Sequence, residues 1–333
     1  MDELESAPRK WLDHNKNGGR SPVGFLNRLS AWWGQERVFR LVSFWLVEAI
    51  FLLFLAVPFA MTIYISFLKW RANRPFESAH FQWFVNYTQV LTEPAFWKAL
   101  GRTFYFAGAA VMLELMIGFF MAMFVHRVVR GKRFYITVFL IPMMVVPVVV
   151  GYNFSMIFID SGPLNQILAP FLGLFGANPR IRWLSHPVAA QWALILADVW
   201  QWTSLTFLIF LSGFSALPQQ LINAARVMGA NRWQIFWRVQ LPLLKPAIVV
   251  AVVIRTMEAL KLFDQAVLLT FGGPGAATET VAFFLWRQVW MFNKYSFGAA
   301  ASVLLLIFFS GLIYFGIYML VRQRAVVSQE SLR

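Results

Sequence analysis

Apolar residues run along this chain in long stretches separated by short polar segments. Leu194 to Leu211 (LILADVWQWTSLTFLIFL) and Ala301 to Val321 (ASVLLLIFFSGLIYFGIYMLV) are examples. About 20 apolar residues, at 1.5 Å each, carry a helix across a bilayer core. Water is absent there, so only helices or a closed barrel can satisfy the backbone. Barrel strands would alternate apolar and polar at period two, and these runs do not. The pattern predicts an all-α polytopic membrane protein with six spans: Leu41–Phe67, Thr103–Phe124, Tyr135–Phe158, Val188–Leu211, Ala247–Leu269 and Phe297–Val321.

The polar segments divide the rest. Residues 1–40 read as a polar tail, 41–325 as the membrane domain and 326–333 as a short C-terminal tail. No short apolar core stands near the start, so the first span reads as a retained helix and not as a cleavable signal. The tail contains PVGFLNRLSAWWGQERVFRLV, whose Trp32 and Trp33 suit a membrane interface; an ordinary surface helix would look similar. Outer turns are marked by Asp160–Pro163, Ala177–Arg180 and Gly272–Gly275.

Charge supplies the orientation. Only 13% of the 333 residues are charged, about half the usual share for a soluble domain. The net charge of +14 would suggest nucleic acid in a soluble protein, but here the basic residues sit in loops, and no nucleic-acid partner is expected. Eighteen Lys and Arg lie in the tails, the second loop and the fourth loop, against nine on the other side. The positive-inside rule then puts both termini in the cytoplasm. Lys69, Arg71 and Arg74, just past the first span, are the exceptions. The absence of cysteine excludes disulfides and thiolate chemistry.

The fourth loop, residues 217–246, reads LPQQLINAARVMGANRWQIFWRVQLPLLKP. Pro218 can open a helix and Gly229 can end it in a left-handed turn. A second short helix fits Arg232 to Gln240, after which Pro242 and Pro246 set the path into the fifth span. Ala224 and Ala225 offer a flat side, flanked by Ile222, Val227 and Met228. A plain interfacial helix between two spans would satisfy the same features.

This segment resembles the EAA loop of binding-protein-dependent ABC importer permeases. The family pattern is Glu-Ala-Ala, three residues, Gly, nine residues, Ile, any residue, Leu-Pro. Here it reads Asn223-Ala224-Ala225, then Gly229, Val239 and Leu241-Pro242 at the same spacing. Asn223 stands where the family has Glu; it can hydrogen-bond but cannot form an ion pair. The resemblance implies that the loop docks in a cleft of an ATPase subunit, here resting on Ala224, Ala225 and shape. Stretches His126–Asn165 and Arg255–Ser302 resemble the sugar-type branch. That branch implies a type I importer permease fold and a sugar, sugar alcohol or glycerol-like substrate. It further implies a second permease subunit in a heterodimer, two ATPase subunits carrying ATP and Mg, a periplasmic solute-binding protein and surrounding lipid.

Charges inside the spans are the candidate substrate path. Arg255, Glu258, Lys261 and Asp264 recur every three residues with alternating sign. On one continuous helix they would pair along a stripe, and a charge facing lipid at mid-membrane costs about 2.5–3.5 kcal/mol. The stripe should therefore face a water-filled path, or else form a structural ion-pair seam. Glu48, Glu114 and Asp198 are single acids in other spans, readable as packing partners. Trp200 and Trp202, around Gln201, could stack on a sugar ring, though most aromatics in a chain with 15 Trp and 35 Phe serve packing.

No G-x-x-x-x-G-K-[ST] run, metal-ligand spacing or Ser/His/Asp set is present. The expectation is a transport subunit with no catalytic residue and no cofactor of its own. The alternatives are a secondary transporter or channel using the fifth-span charges, and a membrane enzyme or scaffold.

Overall fold

The computed structural model describes residues 36–330 except 72, 129, 175 and 177–179. The proposed interfacial tail around Trp32 and the turn at Ala177–Pro179 lie outside the described residues. The chain divides at Met61 into two compact units. Helix α1 (Glu36–Ser66) begins in the first of them, and its apolar side chains between Val42 and Met61 are largely exposed.

The second unit is a helical bundle. A two-stranded antiparallel ribbon, β1 (Leu68–Lys69) and β2 (His80–Phe81), leads to α2 (Val85–Thr92). The long α3 (Pro94–Arg127) follows, opened by Glu93, whose carboxylate accepts the Ala95 N–H. Then come α4 (Lys132–Met144), α5 (Pro147–Ile157), α6 (Pro163–Leu174) and α7 (Pro187–Ser215). At one end lies α8 (Gln219–Val227), then α9 (Arg232–Ala259), with one π-turn at Phe236–Gln240. Finally α10 (Asp264–Thr270), α11 (Val281–Trp286) and α12 (Tyr295–Glu330) complete the chain.

The core is the α3–α7 pair. Small residues let the two backbones approach: Ala107, Ala110 and Ala122 on α3 and Ala190, Ala193 and Ala197 on α7 are all buried. At Gly118 contact is so close that a Cβ would meet Thr206 Oγ1 and come within 2.8 Å of the Phe207 amide nitrogen. Thr206 Oγ1 donates to the Glu114 carbonyl at 2.8 Å.

Among the described residues five helices are long and apolar enough to span a membrane, and the α4–α5 pair makes a sixth although bent by 92°. The straight third span expected over Tyr135–Phe158 is thus corrected. Pro147 has no N–H and forces Val146 into an extended conformation (φ −62°, ψ 136°). The fifth span is corrected at both ends. No second short helix ends at Gln240; the chain runs unbroken from Arg232 through the π-turn, with Pro242 in its path and Pro246 inside the helix. It then stops at Ala259 instead of Leu269, and Phe263 breaks regular geometry (φ −132°, ψ −59°) before α10 starts.

Candidate functional site

The two breaks meet. Gly151 on α5 lies against α10 so closely that a Cβ would sit 2.9 Å from the Leu268 Cβ. Beside this contact is an open cavity of about 190 Å³, lined by Pro147, Trp202, Glu258, Lys261, Asp264 and Gln265 among others. Interrupted helices put polar backbone at membrane depth, which is tolerated only where protein or a water-filled space receives it. Here Gln201 Nε2 donates to the Val145 carbonyl at the first break (2.8 Å), and Thr280 Oγ1 donates to the Leu262 carbonyl at the second (2.8 Å). Gln265 Nε2 donates to Gln201 Oε1 at 2.9 Å and ties the two breaks together.

Behind the cavity is a buried ion triad. The Arg255 side chain is 1% exposed. Its Nε donates to Glu114 Oε2, its Nη2 to Glu114 Oε1 at 2.6 Å, and the same Nη2 to Asp198 Oδ2 at 2.9 Å. The guanidinium thereby joins α3, α7 and α9, and its carbon lies 5.2 Å from the centroid of the Trp202 ring, a cation–π distance. One guanidinium answers two carboxylates, so all three groups depend on one another.

The expected stripe is therefore divided. Arg255 pairs across helices and not with Glu258, three residues on. Glu258 and Lys261 form their own exposed pair (2.8 Å) at the mouth of the break. Asp264 opens α10, where a carboxylate suits the helix N-terminus. Arg255 and Glu258 share α9, but Arg255 is turned into the bundle toward two acids on other helices, while the break after Ala259 takes Lys261 and Asp264 off that helix. The two tryptophans are divided as well. Two positions apart on α7, they point about 200° apart. Trp202 lines the cavity; Trp200 is 43% exposed and rests on Phe154 at 5.4 Å. Glu114 and Asp198, read from sequence as isolated acids, are the Arg255 partners, and Gln265 was not singled out at all. A buried Arg in one span and lone acids in two others were the available signal.

At the far end, α8 is set by its turn. Gly229 adopts φ 82°, and the Ala230 N–H donates back to Ala225 (3.0 Å). Asn231 caps α9 by accepting the Gln234 N–H (2.8 Å), while Gln234 accepts the Asn231 N–H (2.9 Å). Ile222 and Ala225 face inward, in one buried cluster with Phe214, Leu217 and Ile235. Asn223 and Ala224 face outward, next to Val227 and Met228, which are 89% and 80% exposed. Thus Ala224 and Ala225 do not share a face, and Ile222 belongs to the core. Asn223 Oδ1 accepts from Arg226 Nη1 at 3.3 Å. Leu241 is half-buried and Pro242 exposed on α9.

At the opposite end a third buried carboxylate fixes the loop before α11. Glu279 pairs with Arg102 (3.2 Å) and Arg287 (2.6 Å). Burial raises its pKa above the ordinary carboxylate range, and the two arginines oppose the rise. Among the described residues no cluster of His, Asp or Glu could hold a metal ion.

Residues 114–327 match the family described as the binding-protein-dependent transport system inner membrane component. The chain is 36% identical over 240 residues to the probable ABC transporter permease protein y4oQ of Sinorhizobium fredii, covering 72% of this chain and 76% of that one. It is 32% identical over 257 residues to the trehalose/maltose transport system permease protein MalF of Thermococcus litoralis, covering 76% and 83%. A chain of the crystal structure of a bacterial ABC transporter involved in the import of the acidic polysaccharide alginate shares the fold, with a TM-score of 0.73 at 21% identity, covering 88% of this chain and 99% of that one.

Proposed function

Since this multi-pass membrane protein belongs to the family of binding-protein-dependent transport system inner membrane components, we propose that it is the permease subunit of an ATP-driven importer of a carbohydrate or polyol. The observation that carries the reading is the cavity where both helix breaks meet. Trp202 offers it an aromatic face, and Glu258, Asp264 and Gln265 offer hydrogen-bonding groups. A sugar ring has apolar C–H faces and polar edges, which such a lining matches. Relatives named as trehalose/maltose and trehalose transport permeases point the same way.

In this reading the chain hydrolyses nothing itself. It pairs with a second, non-identical permease, because six spans alone do not enclose a path. Of two ATPase subunits carrying ATP and Mg, one docks on Asn223, Ala224, Val227 and Met228 and the other on the partner permease, and a periplasmic binding protein delivers the solute at the other end. The 18-to-9 bias of basic residues supports cytoplasmic termini. Arg255 positions Trp202 and does not touch the solute. The ion-driven alternative differs in its energy source: uptake driven by a proton or sodium gradient with no ATPase partner would favour it. The test is solute uptake by the reconstituted complex with Trp202→Ala. A rise in the half-saturating concentration for the assembled complex is expected; wild-type uptake at all concentrations would reject the cavity as the solute's path.

A further inference from the structure

A larger cleft of about 850 Å³ opens at the end of the bundle that carries the β1–β2 ribbon. Its floor is rigid. Asn86 Nδ2 donates to the Ser66 and Leu68 carbonyls (2.8 Å each), and Ser296 Oγ accepts the Trp70 N–H (3.1 Å). Its lining is predominantly cationic, with Glu93, whose carboxylate accepts the Ala95 N–H, as its one acid. Lys69, Arg71, Arg74 and Lys294 are all exposed, and none makes an ion pair among the described residues. Beside them runs an aromatic chain, Phe76–Trp70–Tyr295–Trp290, with centroids 5.4 to 6.1 Å apart. Its ends, Phe76 and Trp290, are 52% and 64% exposed.

These four are among the nine basic residues on this side, and unlike Arg102 and Arg287, which pair with Glu279, they have no acidic partner among the described residues, so they call for a separate cause. The negative surface potential that recruits basic segments belongs to the cytoplasmic leaflet. A concave, polar-floored site also differs from cations snorkelling on a convex rim. Exposed aromatics beside arginine are the composition of a protein interface. The cleft shares no lining residue with the cavity at the helix breaks, so it is not a continuation of that site.

We propose that this cleft is the docking surface for an acidic patch on the periplasmic solute-binding protein, with Arg71 and Arg74 as its electrostatic guides. The proposal rests on the importer reading above. Charge complementarity of this kind acts chiefly on the association rate and fades as salt rises. The Debye length falls from about 30 Å at 0.01 M to about 8 Å at 0.15 M.

The experiment uses the whole transporter in nanodiscs of neutral lipid and titrates the purified cognate binding protein against stimulated ATPase activity. In the wild type the half-maximal concentration should rise steeply with salt, and polyglutamate should compete. In the double variant Arg71→Glu/Arg74→Glu it should rise at least tenfold at low salt and lose its salt dependence. Arg71→Gln/Arg74→Gln, which keeps polar side chains on the same exposed loop, should fall between. Equal half-maximal concentrations for wild type and variants across salt would overturn the proposal. So would a defect seen only with anionic lipid, or only in uptake of an anionic solute while stimulation is unchanged. Absence of any stimulation in the wild type would instead reject the importer reading itself.

Discussion

The triad of Arg255, Glu114 and Asp198 makes a graded prediction. Arg255→Met leaves two buried carboxylates facing each other with no cation. Removing one partner of a buried ion pair costs about 3–5 kcal/mol, a shift of roughly two to four orders of magnitude in the folding equilibrium. Asp198→Asn is a different perturbation. Arg255 keeps both contacts to Glu114, and the Asn oxygen still accepts from Nη2, so the loss should stay near one neutral hydrogen bond, about 0.5–1.5 kcal/mol. The triple change Glu114→Leu/Asp198→Leu/Arg255→Met removes every charge together and should recover most of what Arg255→Met loses, because no unpaired ion remains. The measurement is the temperature at which each variant in detergent loses its monodisperse size-exclusion peak. Expected order, from most to least stable, is wild type, Asp198→Asn, the triple variant, Arg255→Met. If Asp198→Asn melts as low as Arg255→Met, or the triple variant lowest of all, the triad is not the rivet described here.

Three further outcomes follow from local geometry. Gly229→Val forces a β-branched side chain into φ 82° at a turn with open space around it, so the cost is conformational; the assembled complex should lose solute-stimulated ATPase activity while its melting temperature moves little, and retained coupling would show that α8 tolerates another exit. Gly118→Leu must separate α3 from α7 at the Phe207 backbone, and poor yield with a strongly lowered melting temperature is expected, whereas Gly101→Leu, which meets nothing within 4 Å, should behave as wild type. Trp200→Ala should leave the half-saturating solute concentration unchanged where Trp202→Ala raises it, and equal effects in uptake assays would erase the distinction drawn between the two rings.

The spans were legible because burial in lipid leaves a length-and-polarity signature that single residues cannot disguise. Gly229 was legible for a similar reason: few residues tolerate its backbone angle. The breaks were not. Pro142 and Pro147 stood in the third span, but proline inside a membrane helix is often absorbed, and only the Gln201 amide on another helix makes the extended Val145–Val146 link affordable. The end of α9 at Ala259 carries no Gly or Pro at all. Tertiary partners on Leu262 and Gln265 accompany it, and these are 18 and 64 residues distant in sequence. The same distance hid the site. Periodicity assigned Arg255 to its own helix, whereas its true partners lie 141 and 57 residues away.

The correction to the fifth span changes the mechanics. Had a second short helix ended near Gln240, motion of α8 would have reached the membrane through a flexible joint. Instead Arg232–Ala259 is one helix of 28 residues, about 42 Å long at 1.5 Å per residue. One end is capped by Asn231 against the α8 turn, and the other carries Arg255, Glu258 and the break. In the proposed importer, a displacement of α8 would therefore arrive at the cavity as movement of a rod. The Arg255 ion pairs would transmit it to α3 and α7, and Leu260–Phe263 would absorb it before α10. The rod's hydrogen-bond ladder is loosened at the π-turn Phe236–Gln240, packed on Phe119 through Phe236 at 6.1 Å, and at Pro246, which has no N–H to donate. In the proposed importer, coupling and solute handling share this one helix, with the compliant points at its π-turn, at Pro246 and beyond its last residue.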